Sequence, residues 1–242
     1  VKLSAKDITT HAIKSKRTVA AGIDQISPWL IKIVIENSTE DRAAEVSTCL
    51  ANRWVTGDFE PVIGHFTAVG RLLALYKNEN QVDVRPVVIG GALRRFIAKC
   101  FVVKIRAKLY SLANDHQMGV EKGGIEVGSH ALRQQLKECD INGDICLVID
   151  FKNAFNSVDR NLILKIALAV LPEIAPIVYW LYCLECDLVT DNGDLVISSI
   201  GAHQGDPLVN VMFALIMIYI NRKIDLNEKE NNDVSNYKNN FH

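Results

Sequence analysis

The feature that most constrains the fold is a continuous apolar run, DICLVIDF, at residues 144–151. Unbroken apolar runs of this length are typical of strands that are buried on both faces of a sheet. The run therefore predicts a central strand, and it ends on a single acid, Asp150. Helix-period patterns surround it, so the sequence predicts an α+β fold.

The rest of the chain gives a series of local predictions from periodicity, caps and turn residues. Ser157 is predicted to cap the helix that follows it. The other predicted elements are a helix from Pro28, a helix over 40–54 that ends near Gly57, a hairpin of GRLLALYKN and VRPVVIG around NENQ, a helix over GALRRFIAKCFVVKIRAKLYSL, a helix after EKGG, a hairpin in DLVTDNGDLVISS with Asn192-Gly193 as its turn, and an apolar helix after GAHQGDP.

Composition permits a large core but gives no whole-chain argument for nucleic-acid binding. The chain has 242 residues, 49% of them hydrophobic, and a net charge of -1. A local exception is the stretch from Val84 to Tyr110, which has no Asp or Glu and predicts a helix with one cationic face. Its basic residues are Arg85, Arg94, Arg95, Lys99, Lys104, Arg106 and Lys108.

The cysteines and the apolar segments suggest an intracellular protein without a membrane span. The start of the chain, VKLSAKDITT, has no secretory pattern, so the six cysteines are expected to be reduced. Cys183 and Cys186 form one C-x-x-C, which is half of a tetrahedral zinc site; a metal-binding regulatory protein is a minor alternative. The longest apolar run, Val211 to Ile220, is too short to cross a bilayer.

An acid at the end of a buried strand suits a rigid ligand for a hard cation. Mg²⁺ prefers oxygen ligands and commonly uses one or two carboxylates together with substrate phosphates. Asp150 alone does not decide between this role and a capping or ion-paired acid.

Asp150 lies in one of five sequence blocks that together resemble the reverse transcriptase domain of non-LTR retrotransposons. The resemblance covers roughly Lys14 to Lys223. The blocks, in the family's order, are AAGIDQISPWLIK, GRLLALYKNENQVDVRPVVIGGALRRFIAK, HQMGVEKGGIEVGSHALR, LVIDFKNAFNSVDRN and GAHQGDPL. The resemblance implies a right-hand polymerase fold that adds deoxynucleotides to a 3′ end on a template.

Carried over by position, the resemblance assigns roles at the nucleotide site. Asp150 matches the first catalytic carboxylate, and the Phe151 carbonyl would join it on Mg²⁺ or Mn²⁺. Phe155 matches the aromatic residue that lies under the sugar and excludes a 2′-hydroxyl. Lys77 and Arg85 match the residues that bind the incoming triphosphate.

The resemblance also implies contacts with a nucleic-acid template and primer. Gln204 and Gly205 match the loop where template and nucleotide meet. The cationic helix face, with Arg94, Arg95 and Lys99, would follow template phosphates. His203 is expected to be an exposed loop residue, and Glu126 with His130 to be a local helix-start pair.

Two departures limit what the resemblance implies. The family's aromatic-x-Asp-Asp turn has no counterpart, since the chain has no Asp-Asp dipeptide, and the sequence leaves the family pattern after Ile220. A domain truncated in this way is expected to be inactive alone; the alternative is a non-catalytic nucleic-acid-binding remnant. Gln25 also stands where the family commonly has Gly.

These observations divide the chain into three predicted regions. Residues 1–139 are fingers-like, 140–222 form a partial palm without a thumb, and 223–242 are an Asn-rich tail that is expected to be disordered. A partial palm would expose a sheet edge, so self-association is expected.

Overall fold

The computed structural model describes residues 1–76, 83–113, 117–120, 123–143, 145 and 147–239. They form a mixed α/β structure in which helices surround one small sheet. The α-helices are α1 (Ala5–Ile13), α2 (Pro28–Glu36), α3 (Arg42–Thr56), α4 (Pro61–Ala68), α5 (Ala92–Ala113), α6 (Gly124–Asn142), α7 (Ala154–Ser157), α8 (Arg160–Val170), α9 (Ala175–Val178) and α10 (Val209–Asn239). The strands are β1 (Gly70–Tyr76), β2 (Val84–Gly90), β3 (Cys186–Val189) and β4 (Leu195–Ser198).

The sheet joins two hairpins that lie far apart in the sequence. Its strand order is β2-β1-β3-β4. β1 pairs antiparallel with β2, and β3 pairs antiparallel with β4. A short parallel pairing of β1 with β3 joins the two hairpins, with Gly70 opposite Leu188. The sheet is therefore mixed, and β2 and β4 are its outer strands among the described residues.

The main core lies among the helices, around α5. Phe101 and Ile105 of α5 are fully buried, and α5 packs against α1, α2 and α10. The start of α10 contributes Met212 and Leu215 to the same core. A smaller apolar cluster around Val88 and Leu188 lies beside the sheet.

Most of the predicted elements are confirmed. α2 begins at Pro28, and the Ser27 side chain caps it by accepting from the Trp29 backbone N–H. α3 ends at Gly57, whose φ of 72° gives the left-handed C-cap that glycine favours. The strands of both predicted hairpins pair, although the NENQ turn of the first hairpin lies outside the described residues.

The hairpin of β3 and β4 uses a longer loop than the predicted two-residue turn. The Gly193 N–H donates to the Thr190 carbonyl, and the Thr190 N–H donates to the Asp194 carbonyl. Gly193 has a φ of 87°, while Asn192 is not among the residues with positive φ. This pattern is a turn closed by a glycine bulge rather than a type I′ turn at Asn192-Gly193.

The predicted central strand at residues 144–151 is wrong for the residues that the structure describes. Residues 147–151 have no strand assignment, and Val148 is 82% exposed. None of the described strands pairs with this segment, so its backbone has no hydrogen-bonded strand partner there. An apolar sequence can favour an extended conformation, but a strand requires a hydrogen-bonded neighbour.

Two further differences concern helix ends. Asp159, not Ser157, caps α8, since its side chain accepts from the Leu162 backbone N–H; Ser157 ends the short helix α7. At the end of the chain, α10 continues to Asn239, through a segment whose sequence predicts disorder. No described helix combines the length and apolarity that a membrane crossing requires.

Candidate functional site

An open cleft of about 700 Å³ brings together residues from three separate parts of the sequence. It contains Arg85, Asp150, Phe155 and Gln204, all of which the sequence analysis singled out. The complete lining is Asp83, Val84, Arg85, Pro86, Asp150, Phe151, Lys152, Asn153, Ala154, Phe155, Asn156 and Gln204. Lys77, the other predicted nucleotide-binding residue, lies outside the described residues.

The first wall of the cleft is the beginning of β2. Arg85 lies opposite Leu75 of β1, so the hairpin holds its backbone in place. The Arg85 side chain forms no ion pair with any described residue and is exposed, which leaves its guanidinium available to an anionic ligand. Asp83, immediately before the strand, adds a carboxylate that the sequence analysis did not consider.

The second wall is the segment from Asp150 to Asn156, which turns sharply into α7. Asn153 has a φ of 52°, in the left-handed region that Asn tolerates better than most residues. Its carbonyl accepts from the backbone N–H groups of Asn156 and Ser157, which starts α7. Asp150 itself is exposed and has no hydrogen-bond or ion-pair partner among the described residues.

The two aromatic residues of this wall rest on a third. The rings of Phe155 and Phe213 lie 5.2 Å apart edge to face, and those of Phe151 and Phe213 lie 6.1 Å apart. Phe213 belongs to α10, so the long apolar helix supports this wall. Phe155 is half-buried, with part of its ring available to a ligand in the cleft.

A loop at residues 201–206 ties the two walls together through backbone hydrogen bonds. The Val88 N–H of β2 donates to the Gln204 carbonyl at 2.8 Å. The Ala202 N–H donates to the Phe155 carbonyl at 2.7 Å. The loop therefore sets the distance between β2 and α7, and Gln204 lies in the cleft between them.

Gly205 allows this loop to lie directly on β2. Its φ is 108°, outside the range of ordinary L residues, and a Cβ at this position would lie 2.9 Å from the Val88 carbonyl oxygen. Glycine is thus required both by the backbone angle and by the close approach.

A buried ion pair lies under the loop. The Arg94 Nη2 lies 2.5 Å from the Asp206 Oδ2, and both side chains are almost completely buried. Arg94 also donates to the carbonyls of Thr67 and Ala68, while Asp206 Oδ1 accepts from the Leu208 N–H at the start of α10. Burial opposes the charge of Arg94, but Asp206 outweighs it and the pKa of Arg94 is raised.

Arg94 and Arg95 do not lie on the exposed cationic helix face that the sequence predicts. They are only 4% and 8% exposed. The Arg95 guanidinium donates to the Ala20 carbonyl at 2.7 Å. Both arginines lie in the first turn of α5, which packs into the core, so the basic stretch is divided between buried and surface positions. Lys99, one turn later, is exposed and remains available to a ligand.

A second buried arginine, Arg160, holds the segment that precedes the loop. Its Nε donates to the Gly201 carbonyl at 2.8 Å, and its Nη1 donates to the Ser198 carbonyl at 2.8 Å. Its Nη2 donates to the Ser198 hydroxyl at 2.6 Å. Arg160 is the first residue of α8, so this helix is fastened to the end of β4.

His203 is buried, so the prediction that it is an exposed loop residue is wrong. It packs against the Tyr182 ring at 5.1 Å, and its Nε2 lies 3.1 Å from the Ser198 hydroxyl. Burial, and next the charge of Arg94, lower the pKa of His203 to about 3. The ring is therefore neutral. Because Arg94 can only donate, the facing Nδ1 is the acceptor and Nε2 carries the proton.

Gln25 lies in a turn with an unusual backbone conformation. Its φ is 53°, so the turn adopts a left-handed conformation without glycine. The neighbouring Asp24 stabilises this turn: its carboxylate accepts from the Ile26 N–H and from the Ala92 N–H at the start of α5.

Oxygen ligands for a cation are present in the cleft, but a complete site is not. Asp83 and Asp150 both line it, and carboxylates suit Mg²⁺. No group of three or more His, Cys, Asp or Glu side chains that could hold a metal occurs in the described part of the chain. Cys183 and Cys186 are not part of any such group among the described residues, and burial raises the pKa of both thiols.

Sequence reasoning missed three residues that organise the site: Asp83, Arg160 and Phe213. Their sequence signals are weak, because an acid beside a strand, a basic residue at a helix start and an aromatic in an apolar helix are all common. Their roles depend on distant partners, as in the 41-residue separation of Arg160 from Gly201.

The comparisons with known proteins do not identify the chain. No protein-family model matches it, and no curated protein matches it either.

Proposed function

We propose that the chain is the fingers and partial palm of a reverse transcriptase, an RNA-directed DNA polymerase domain, and that its cleft binds a deoxynucleoside triphosphate. The observation that carries this proposal is the meeting of Arg85, Asp150, Phe155 and Gln204 in one cleft. These residues come from three of the five sequence blocks. Because the blocks are separated in the sequence, their meeting in one cleft is not a consequence of sequence proximity.

The chemistry of the cleft suits each part of such a nucleotide. The guanidinium of Arg85 presents paired donors to the triphosphate oxygens. The ring of Phe155 packs on Phe213. It would offer a flat apolar surface to the deoxyribose and would exclude a 2′-hydroxyl by its bulk. Gln204 and the backbone at Gly205 would meet the base pair between nucleotide and template.

Asp150 and the carbonyl of Phe151 would hold Mg²⁺ or Mn²⁺, with substrate phosphates as the remaining ligands. The cation would offset the charge of the triphosphate. Asp83, across the cleft, is a second oxygen donor on the opposite wall. One or two carboxylates plus phosphates are sufficient to bind one such ion.

The chain by itself is expected not to polymerise DNA. Two-metal phosphoryl transfer places one ion at the attacking oxygen and one at the leaving oxygen. Without an Asp-Asp dipeptide, the sequence lacks the carboxylates that hold the second ion in the family it resembles. Binding and chemistry are therefore separable, and binding is the direct test.

The test is a titration with a fluorescent deoxynucleoside triphosphate in the presence of Mg²⁺. We expect Arg85→Ala to weaken binding about tenfold or more, because it removes charge-assisted hydrogen bonds. Arg71→Ala is the matched control: Arg71 is an exposed arginine of β1 that does not line the cleft. Equal affinities for wild type and Arg85→Ala would contradict the proposal.

A second titration compares deoxy- and ribonucleotides in the Phe155→Val variant. A smaller side chain should narrow the preference for the deoxynucleotide, while overall stability changes little because Phe155 is only half-buried. In parallel, primer extension with Mg²⁺ or Mn²⁺ should give no product. Robust extension would overturn the claim of inactivity.

The alternative is a non-catalytic nucleic-acid-binding remnant. Of the three cations predicted for it on the face of α5, only Lys99 is exposed, since Arg94 and Arg95 are buried. Retention of RNA binding after loss of nucleotide binding in Arg85→Ala would favour this alternative.

A further inference from the structure

A second pocket, which shares no lining residue with the cleft, lies where α1 ends and α5 begins. Its volume is about 250 Å³. The pocket collects side chains from the end of α1, from the loop that follows, and from the first turns of α2 and α5. Its lining is His11, Lys14, Ser15, Lys16, Val19, Pro28, Arg95, Phe96 and Lys99.

The charge of this pocket is strongly one-sided. Lys14, Lys16, Arg95 and Lys99 are cations, and none of the described lining residues is acidic. The three lysines form no ion pair with a described residue. Burial lowers the pKa of His11, and the nearby charges of Lys99 and Lys14 lower it further, so His11 is neutral and adds a possible hydrogen-bond donor.

Arg95 gives the pocket a buried cation with an unused donor. Its guanidinium donates to the Ala20 carbonyl, but its Nε is buried and has no acceptor within the described residues. Burial lowers the pKa of Arg95, and the charge of Asp24 only partly opposes this effect. Asp24 does not line the pocket and already accepts from two backbone N–H groups. Because burial disfavours the charge of Arg95 and one of its donors is unpaired, an anion in the pocket would stabilise this residue.

We propose that this pocket binds a phosphate group. A phosphate carries enough charge to neutralise several of the four cations and has oxygens for both lysine and guanidinium donors. Val19, Pro28 and Phe96 add apolar walls that strengthen these interactions by excluding water. The pocket does not share residues with the cleft, so this inference does not depend on the proposed polymerase function.

The phosphate could come from a free anion or from a nucleic-acid backbone, and two titrations separate these sources. The first measures inorganic phosphate by calorimetry, with sodium acetate at equal ionic strength as reference. The second measures a fluorescently labelled single-stranded RNA by anisotropy, with and without inorganic phosphate. Competition between phosphate and RNA would identify the backbone as the source, whereas RNA binding that is insensitive to phosphate would identify the free anion.

The decisive variant is Lys16→Gln/Lys99→Gln, because both side chains are exposed and their removal should not disturb the core. The matched control is Lys6→Gln/Lys137→Gln, which removes the same charge from exposed lysines outside the pocket. We expect phosphate affinity to fall about tenfold or more in the first variant and to stay within about twofold in the control. Circular dichroism should show that both variants keep the wild-type fold.

Three results would overturn the proposal. They are the absence of saturable phosphate binding by the wild type, an equal affinity for acetate, and equal losses in the two double variants. The first two use the unmodified chain, so they remain decisive even if a variant fails to fold.

Discussion

Two buried arginines, Arg94 and Arg160, hold loops in place. Arg94 and Arg160 direct their guanidinium groups to backbone carbonyls at Ala68, Ser198 and Gly201. An arginine has five donors and no acceptor, so it can hold several carbonyls that the loop itself cannot satisfy. Of these two arginines, Arg94 has a carboxylate partner among the described residues, Asp206, and this ion pair is almost completely buried.

Arg94→Met should strongly destabilise the protein. It would leave Asp206 buried without its counter-charge, and breaking a buried pair from one side costs about 3–5 kcal/mol. Urea unfolding gives the free energy of unfolding. Arg94→Met/Asp206→Asn should recover part of the loss, because Asn is neutral and can still accept from the Leu208 N–H.

The exposed pair of Arg71 with Asp191 is the control for this effect. Both side chains are about half exposed, and surface pairs of this kind contribute little. Arg71→Met should therefore leave the urea midpoint nearly unchanged. A loss in Arg71→Met as large as that in Arg94→Met would mean that burial does not decide the outcome.

His203 should make stability depend on pH. Its pKa is about 3 in the folded state and 6.5 in the unfolded chain, so the unfolded chain binds more protons between these values. The stabilising contribution of neutral His203 is thus complete above pH 6.5 and is lost as the pH falls towards 3. Lowering the pH from 7 to 5 should cost about 2 kcal/mol.

Comparison with His203→Gln isolates this contribution from those of other groups. The variant should unfold in urea with a weaker dependence on pH between 7 and 5, whatever its absolute stability. His130→Gln, at an exposed position of α6, should keep the wild-type dependence. Identical pH profiles for wild type and His203→Gln would contradict the burial argument.

At the scale of elements, the loop at 201–206 connects more of the molecule than its length suggests. It bonds to β2 through Gln204 and to α7 through Ala202, and it leads directly into α10. Its geometry depends on Gly205, because a Cβ at this position would lie 2.9 Å from the Val88 carbonyl oxygen of β2. The cleft is therefore expected to respond to any change at this glycine.

Gly205→Ala should be more destabilising than Gly193→Ala. Both residues have positive φ, but a Cβ at Gly193 would meet nothing within 4 Å, whereas one at Gly205 would press on the Val88 carbonyl. We expect about 1 kcal/mol for Gly193→Ala and about 2–3 kcal/mol for Gly205→Ala. Thermal unfolding of both variants measures the difference, and equal losses would exclude a role for the close approach.

Local sequence signals predicted the elements whose stability is local. The start of α2 at Pro28 and the end of α3 at Gly57 are set by residues close in the sequence, and both agree with the structure. A strand at 147–151 would need a hydrogen-bonded neighbour from a distant part of the sequence. An apolar sequence does not show whether such a neighbour exists, and none of the described strands pairs with this segment. The sequence also predicts exposed positions for His203 and Arg94, which are buried. They contact each other across 109 residues of sequence, and a local pattern does not indicate such a contact.

The candidate site was predicted through resemblance rather than through periodicity. Nothing in the pattern around Arg85 or Gln204 indicates that they share a cleft with Asp150. The resemblance indicates which residues line the cleft, but it does not indicate which residues pack against them. The Phe213 ring packs against the rings of both phenylalanines in the cleft, and this contact is visible only in the packing of α10.

At the scale of the whole molecule, the two outer strands of the sheet differ in their protection. β2 contains Pro86, which has no N–H to offer, and its Val88 N–H is taken by the Gln204 carbonyl. β4 has no neighbour on its outer side among the described strands, and Leu195 and Ile197 are exposed. An open apolar edge of this kind favours pairing with another chain.

We therefore expect the chain to associate with a second copy through two exposed surfaces. One is the edge of β4, and the other is the unpaired segment 147–149, which is apolar and lacks a strand neighbour in the described chain. Pairing the segment of one copy with β4 of another would cover apolar surface and satisfy backbone groups on both. Sedimentation velocity should then show larger species as the concentration rises.

The double variant Val148→Lys/Ile197→Lys should shift this equilibrium towards the monomer, because it places a charge in each surface. Val46→Lys/Val62→Lys is the control, since these valines are comparably exposed on α3 and α4, away from the sheet edge. If both double variants reduce association equally, added net charge is the cause and the two surfaces do not pair. A wild-type chain that stays monomeric at every concentration would exclude the association itself, and β4 would then be protected by its short length alone.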